Sequence, residues 1–572
     1  MTIELLAIPG VLLVLGAGLL PLVPEKLRSS VFTALTLAAL ALAAMHPAGY
    51  TLTGAIGNYD LILLEVDSMS RVFGLIIAFA AVFGGVYAFH LKDLGQQVAA
   101  LLYAAGALGV VYAGDLFTLI IYWELMAVSS TWLIWATRTD AARAAGMRYL
   151  VYHVLGGGLL FAGIVLHVTQ TGSLAIESFE QVYSASNVLI FLGVAVNAAF
   201  IPLHTWLSDA YPKSTITGVI FLNSFTTKSA VYVLIKLFPG WDILIWMGVL
   251  MAIYGVMYAV ICKDTREILT YHIISQLGFM IAAIGIGSEM ALNGAAALAV
   301  SNILNKSLMF MAAGAVLYST GTSKMYHLGG LYKKMPGVFW LYLVGCLSIS
   351  GLPLFTGFAT KSMAIDAVGY GGYDTAMLLL IFVSIGTFLS VGLKLPYYTW
   401  FHKESYDKEI KPVPFNMYIG MGLAAVVSMV IGIFPQSLYA LLPFATDYQP
   451  YTIYHFVEIM QICLMTFLVF WWLKDLMKGK LIIALDLDWV YRKASPAAYR
   501  MFIKSTDGFF GWAEKVVLNT ATLSTKVFEN PMTWLNPFGD KKNHANTYSP
   551  GMEVVLSFIM LCFLAFSLFY FL

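Results

Sequence analysis

Charge is what this sequence has least of. Only 11% of its 572 residues are Asp, Glu, Lys or Arg, against 60% hydrophobic, whereas a soluble domain carries about a quarter charged residues. That scarcity excludes an ordinary soluble globular protein. It points to a polytopic membrane protein, because apolar runs of about 20 residues recur along the chain. A net charge of +1 gives no basic surface for nucleic acid. Cysteine is scarce too. Cys262, Cys346, Cys463 and Cys562 are scattered through mostly apolar stretches, and no pair has metal or iron–sulfur spacing. There is no P-loop and no Ser/His/Asp or His/Cys cluster at catalytic spacing. The sequence thus calls for no cofactor, no metal and no soluble catalysis. Gly156 to Gly158 lie in an apolar run beside His153, where glycines serve close helix packing rather than phosphate binding.

What is present in quantity is the membrane span. Sixteen are expected, at roughly 5–22, 30–45, 69–90, 96–112, 116–136, 147–169, 187–206, 215–238, 243–262, 266–287, 293–317, 336–361, 376–400, 414–434, 452–473 and 551–572. The first has Glu4 and no basic residue before it, so it reads as a retained span, not a cleaved signal. Connections after odd-numbered spans hold the Lys and Arg residues, among them Lys26, Lys92, Arg138, Lys213, Lys263, Lys324 and Lys403. Connections after even-numbered spans, up to 435–451, hold none. Basic loops stay on the cytoplasmic side, so both termini are expected outside, in a bacterial or archaeal inner membrane.

Against that background, charges inside spans stand out. Lys228, Lys306, Lys361 and Lys394 lie in consecutive bundle helices, and Glu124 is the acidic residue deep in a span. A lysine at mid-bilayer costs several kcal/mol unless it is paired or hydrated, which makes each a candidate functional residue. Lys394 is the weakest, since it lies near a basic loop and can snorkel. Pro202 interrupts the helix before Lys228, with His204, Trp206 and Asp209 just past it. Pro353, in GLPLFTGFATK (351–361), makes a second interruption about 150 residues later. Broken helices free backbone carbonyls that need polar partners.

The fold expected is therefore an all-α polytopic membrane protein. Residues 1–95 form N-terminal helices, 96–238 and 243–400 two five-helix repeats, 414–473 further spans, and 551–572 a terminal anchor. An odd number of helices per repeat inverts the second in the membrane, the arrangement common in transporters. Between 474 and 550, which holds eleven basic residues, the stretch 496–528 mixes Phe502, Phe509, Phe510, Trp512 and Val516 with charges. It reads as an amphipathic lateral helix lying on the bilayer or along a neighbouring membrane protein.

Five motifs carry a resemblance: GDLFTLIIYWELM (114–126), IPLHTWLSDAYP (201–212), KDTREILTYHIISQLGFM (263–280), NILNKSLMFMAAG (302–314) with HLGGLYKKMP (327–336), and SISGLPLFTGFATKS (348–362). The chain resembles the antiporter-like membrane subunits shared by Mrp-type cation/proton antiporters, respiratory complex I and membrane-bound hydrogenases, and is most similar to the Mrp D-type subunit. The resemblance implies a proton route in which Glu124 matches the key glutamate, Lys228 the lysine of the following helix, Lys306 the central lysine and Lys361 the lysine at the second break. His272 matches a histidine frequent in the D-type motif. Two positions depart: Asn197 and Asn302 stand where the family usually has a lysine and a histidine, and an amide does not titrate. Either Lys228 then serves as the charge partner of Glu124, or part of the N-terminal proton-carrying function is lost.

The function expected is proton translocation within a multisubunit membrane complex, with other membrane subunits as partners. Two alternatives remain: a non-pumping scaffold subunit of a redox or hydrogenase complex, or the membrane partner of an inorganic-carbon uptake protein.

Overall fold

Short polar residues in the connections fix where the apolar helices begin. Asp115 caps the Leu116–Trp135 helix, accepting from the Thr118 backbone N–H at 2.7 Å and from its hydroxyl at 2.8 Å. Asp264 caps Thr265–Ile286 through the N–H groups of Arg266 and Glu267. Asp67, Asp93, Thr139, Ser184 and Ser288 start other helices in the same way. The computed structural model describes residues 2–56, 59–402, 406, 408–477, 486–529 and 559–560.

Twelve helices among the described residues are long and apolar enough to cross a membrane, and Pro9–Leu22, Ala185–Asn197 and Pro336–Ile349 are shorter apolar helices. Each of the first fifteen expected spans overlaps one of these. The expected anchor 551–572 lies outside the described residues except for 559–560. Three helices form the centre. Gly218–Leu237 and Thr265–Ile286 are wholly buried along their most apolar windows, and Glu289–Thr320 is 94% buried. The Asp242–Ile261 helix packs closely on Thr265–Ile286, because a Cβ at Gly278 would stand 2.3 Å from the Gly248 carbonyl oxygen.

Two departures from a purely helical fold appear. The connection 46–68 contains an antiparallel hairpin, Thr51–Ile56 with Tyr59–Glu65. Leu61 and Leu64 are buried in it, so it covers one end of the bundle core. Its alternation is interrupted by Gly54 and a register shift at Leu52/Thr53, which hides the strand period. The helix Asp374–Thr387 continues as wider π-helical turns, Phe388–Lys394 and Tyr397–Phe401. Pro396, lacking an N–H, interrupts the ladder there.

The chain also carries an internal offset of 149 residues, seen at Asp115 and Asp264, at Asp140 and Glu289, and at Thr171 and Thr320. The Asp140–Thr171 and Glu289–Thr320 helices both have 32 residues. Asp115 bridges back to Ala175 and Asp264 to Lys324, again with that offset.

Residues 485–572 form a separate unit. It contains the Asp488–Ala498 helix, a π-helical turn Tyr499–Ile503, and Lys504–Glu529. Phe509, Trp512 and Val516 share one exposed face of the last helix.

Candidate functional site

Both breaks expected from Pro202 and Pro353 are present. The first helix half, Ala185–Asn197, gives way to Ala199 in the left-handed region (φ 56°) before Thr205–Ala210 begins. A carbonyl at this break finds a side-chain donor, as Trp206 Nε1 donates to Val196 at 2.9 Å. Further along, Tyr211 Oη donates to the Leu222 carbonyl near the end of Gly218–Ser224 at 2.7 Å. The second break lies between Pro336–Ile349 and Thr356–Tyr370. The helix after it therefore runs to Tyr370, beyond the expected end at 361. Ser348, Thr356, Ser428 and Asn305 form a polar knot across this break, with Ser428 Oγ donating to Asn305 Oδ1 at 2.8 Å.

The expected amines lie on the buried central helices between the breaks. Lys228 is fully buried and donates to the Asn223 carbonyl at 2.8 Å. Asn223 and Ser224 reach Ser307 Oγ at 3.1 and 3.0 Å, which joins this helix to the residue after Lys306. Lys306, also fully buried, donates to the Leu269 carbonyl at 3.4 Å. Leu269 is one turn before His272, whose Nε2 meets Ser390 Oγ at 2.6 Å. Lys361 sits over the Phe279 ring at 4.8 Å and has no hydrogen-bond acceptor among the described residues. Lys394 differs. It donates to the carbonyls of Val260 and Cys262 at 2.5 and 2.6 Å, closing the C-terminal end of the Asp242–Ile261 helix, where a cation suits the helix dipole. It is buried and does not snorkel. None of these four lysines has a carboxylate within ion-pair distance among the described residues.

Glu124 is half-buried, with its carboxylate against Gly157: a Cβ there would fall 1.6 Å from Glu124 Oε1. It makes no ion pair with Lys228, which turns to Asn223 instead. Polar rings fill the region nearby. His153 stacks on Tyr149 at 4.0 Å, Tyr149 Oη meets Ser130 Oγ at 2.8 Å, and Tyr103 Oη meets Thr226 Oγ1 at 2.5 Å, two residues before Lys228. Both amide atoms of Asn197 and of Asn302 are buried without a hydrogen-bond partner among the described residues. His204 packs on Tyr254 at 4.7 Å. Asp209 is fixed by Arg148 at 2.7 Å and by Lys213. Burial pushes its carboxyl up, but those two cations outweigh it and hold the group below the usual carboxylate range. Asp209 is thus a paired charge at the end of the first break, apart from the lysine axis.

Residues 113–390 match the family model described as NADH:quinone oxidoreductase/Mrp antiporter, transmembrane. The match takes in both helix breaks and the buried Lys228, Lys306 and Lys361, over just under half of the chain. An uncharacterized protein of Methanocaldococcus jannaschii is 29% identical over 371 residues, covering 60% of this chain and 76% of that protein. The A-type subunit of the Na(+)/H(+) antiporter of Alkalihalophilus pseudofirmus is 27% identical over 423 residues, 65% of this chain. The chain spans about half (52%) of that relative's length. In fold, the chain is similar to one in the structure of the Mrp complex from Dietzia sp., with a TM-score of 0.70 at 21% identity, over 81% of this chain and all of that one.

The bundle core also holds charges that span-by-span reading passes over. Lys236 ends the helix of Lys228 and pairs with Asp67 at 2.6 Å. Burial raises the Asp67 carboxyl, but Lys236 and the capping bonds from Ser70 hold it below its ordinary range. Arg266, 4% exposed, donates to the carbonyls of Ser214, Tyr211 and Thr215 at 2.8–3.2 Å, tying the end of the first break to the helix of His272. Its signal was its place inside a motif, KDTREIL, where a basic residue follows a capping Asp. Arg266→Ala is expected to cost roughly 2–4 kcal/mol, as a buried cation's partners are stranded. A thermal-shift assay on the detergent-solubilised protein should read this as a midpoint several degrees lower, with Arg266→Lys recovering little of it.

Proposed function

We propose that the chain is a proton-translocating, antiporter-like subunit of a multisubunit membrane complex, moving protons along a buried Glu/Lys axis. The observation that carries this reading is the row Lys228, Lys306, Lys361: three buried amines between two helix breaks, none ion-paired with a carboxylate among the described residues. Charged amines so placed repel one another. At an effective dielectric of about 20, two charges some 8 Å apart interact by roughly 2 kcal/mol, more than the 1.36 kcal/mol of one pKa unit. A proton arriving on one amine therefore drives one off its neighbour. The unpartnered amides of Asn197 and Asn302 support a hydrated axis, because each buried polar group left unsatisfied costs about 1–3 kcal/mol. Glu124 begins the axis, His272 lies along it between Lys306 and Lys361, and Lys394 holds the helix that backs His272.

The 149-residue offset supports two five-helix repeats at 96–238 and 243–400, inverted with respect to each other within sixteen spans. The distribution of basic loops supports termini on the outer side. The stretch 474–550 is proposed to contact a neighbouring membrane protein of the complex or the lipid surface through the apolar face of Phe509 and Trp512.

One observation favours a second reading, a scaffold subunit that carries no protons: Asn197 occupies the position of a family lysine. The two readings are separated by reconstituting the complex that co-purifies with the chain into proteoliposomes loaded with a pH-sensitive dye. Proton flux above that of protein-free vesicles is expected; none, with assembly verified, would leave the scaffold. In the same assay Asn197→Lys is expected to lower flux about threefold or more, since a fourth buried cation near Lys228 adds repulsion of the size above. A gain of flux would instead mark a degenerate first half-channel.

A further inference from the structure

On the face of the bundle whose connections carry no Lys or Arg, a cleft of about 800 Å³ is walled by Glu289, Asp366, Asp374, Asp447 and Glu458. Among the described residues no lysine or arginine lines it, so it concentrates cations. Alone it would be a solvated acidic patch. Behind it, however, lies a second cavity of about 30 Å³, enough for one or two waters. This one shares Asp366, His455 and Glu458 with the cleft and is also lined by Lys361. Lys361 is only 4% exposed, and its ammonium has no hydrogen-bond acceptor among the described residues. A buried cation therefore borders a water-sized space that leads to an acidic opening.

Three titratable side chains, Asp366, His455 and Glu458, line both spaces, and His455 is the one hydrogen-bonded to the segment of Lys361. His455, early in the Ile453–Met477 helix, places Nε2 2.8 Å from Ser362 Oγ, the residue after Lys361. Ser362 donates its own hydroxyl to the Phe358 carbonyl, which leaves its lone pairs for the imidazole. The His455 ring is set edge-on to Phe358 at 4.9 Å. On the cleft side, Tyr448 donates to Asp366 Oδ2 at 2.6 Å and so holds that carboxylate in place.

We propose that His455 is the proton-relay residue joining Lys361 to the acidic cleft, and that the cleft is the proton port on this face of the bundle. The inference rests on reading Lys361 as part of a proton-carrying axis. A proton leaving Lys361 Nζ crosses the small cavity to one ring nitrogen of His455. The imidazolium, its Nε2–H kept on Ser362, then releases that proton to solvent in the cleft. The reverse sequence loads Lys361. Imidazole suits this task because one ring nitrogen can take up and give back a proton while the other holds its hydrogen bond.

The test uses the full chain in its purified complex. His455→Gln keeps an N–H donor for Ser362 but does not titrate, whereas His455→Ala removes both. Flux is expected to fall about tenfold or more in both variants, and added imidazole is expected to restore flux in His455→Ala. A structural role would instead let Gln suffice and leave imidazole without effect. Wild-type flux in His455→Gln overturns the relay while the proposed function stands. A wild-type complex without flux overturns both.

Access is read independently of flux. His455→Cys is expected to react with a membrane-impermeant cationic thiol reagent about tenfold faster than with its anionic counterpart, from one side of the membrane only. Asp374→Asn with Asp447→Asn is expected to shrink that preference. Absence of labelling, or labelling without charge preference, overturns the port whatever the flux.

Discussion

Lys306→Ala is expected to reduce proton flux in proteoliposomes of the complex to the leak of protein-free vesicles, while the complex still assembles. Lys306 lies at the centre of a helix that is 94% buried, and the residues beside it, Asn302, Asn305 and Ser307, do not titrate. Once it is removed, a proton on the Lys228 side has no titratable stop before His272 and Lys361. The fold should tolerate the change. Among the described residues the ammonium makes one hydrogen bond, at 3.4 Å to the Leu269 carbonyl, and replacing a buried charge with an apolar side chain is often neutral or stabilising. Lys306→Met, closer in volume, avoids the cavity that alanine leaves and should lose flux just as fully. Flux within about twofold of wild type in both variants would remove the relay as an explanation. A loss in Ala that Met repairs would make Lys306 a packing residue.

How much of this was legible in the sequence depends on how far apart the interacting residues lie. The spans, the two breaks and the buried lysines were legible, since an apolar run, a proline and a charge within that run are local signals. The hairpin at 51–65 was not, because Gly54 and the register shift at Leu52/Thr53 break the alternation that marks a strand. The π-helical turns after Thr387 were hidden because their composition is that of any apolar helix. The partners of the charged groups were the least legible. Ser390 meets His272 across 118 positions, Ser428 meets Asn305 across 123, and Lys236 meets Asp67 across 169. Nothing in the periodicity of one helix states which other helix it faces. Lys394 shows the same limit: its nearness to a basic loop suggests snorkelling, while its actual partners are two carbonyls that end another helix.

Gly157→Ala is expected to lower proton flux about tenfold or more without lowering stability. The added methyl would stand 1.6 Å from Glu124 Oε1, so the carboxylate must move. The carboxylate is the free end of a flexible side chain, so its displacement is cheap, and alanine improves on glycine within a helix by about 1 kcal/mol. The thermal midpoint should hold or rise. Function should not, because a misplacement of about 1 Å in a proton-transferring group can cost around a hundredfold. Gly158→Ala is the control, as no described residue lies within 4 Å of its Cβ, and it should leave flux unchanged. The decisive comparison is the double variant. If Gly157 acts by positioning Glu124, then Gly157→Ala adds no further loss once Glu124→Gln is present; independent losses would mean that the glycine serves helix packing. The internal offset sharpens the point, since 149 residues after Gly157 comes Lys306, and 149 after His153 comes Asn302. The 32-residue Asp140–Thr171 helix leaves a gap for its neighbour's carboxylate, and Glu289–Thr320 supplies a charge itself at the offset position. On the proposed function, a glycine in a packed helix is thus as much a part of the proton route as the lysine at the offset position.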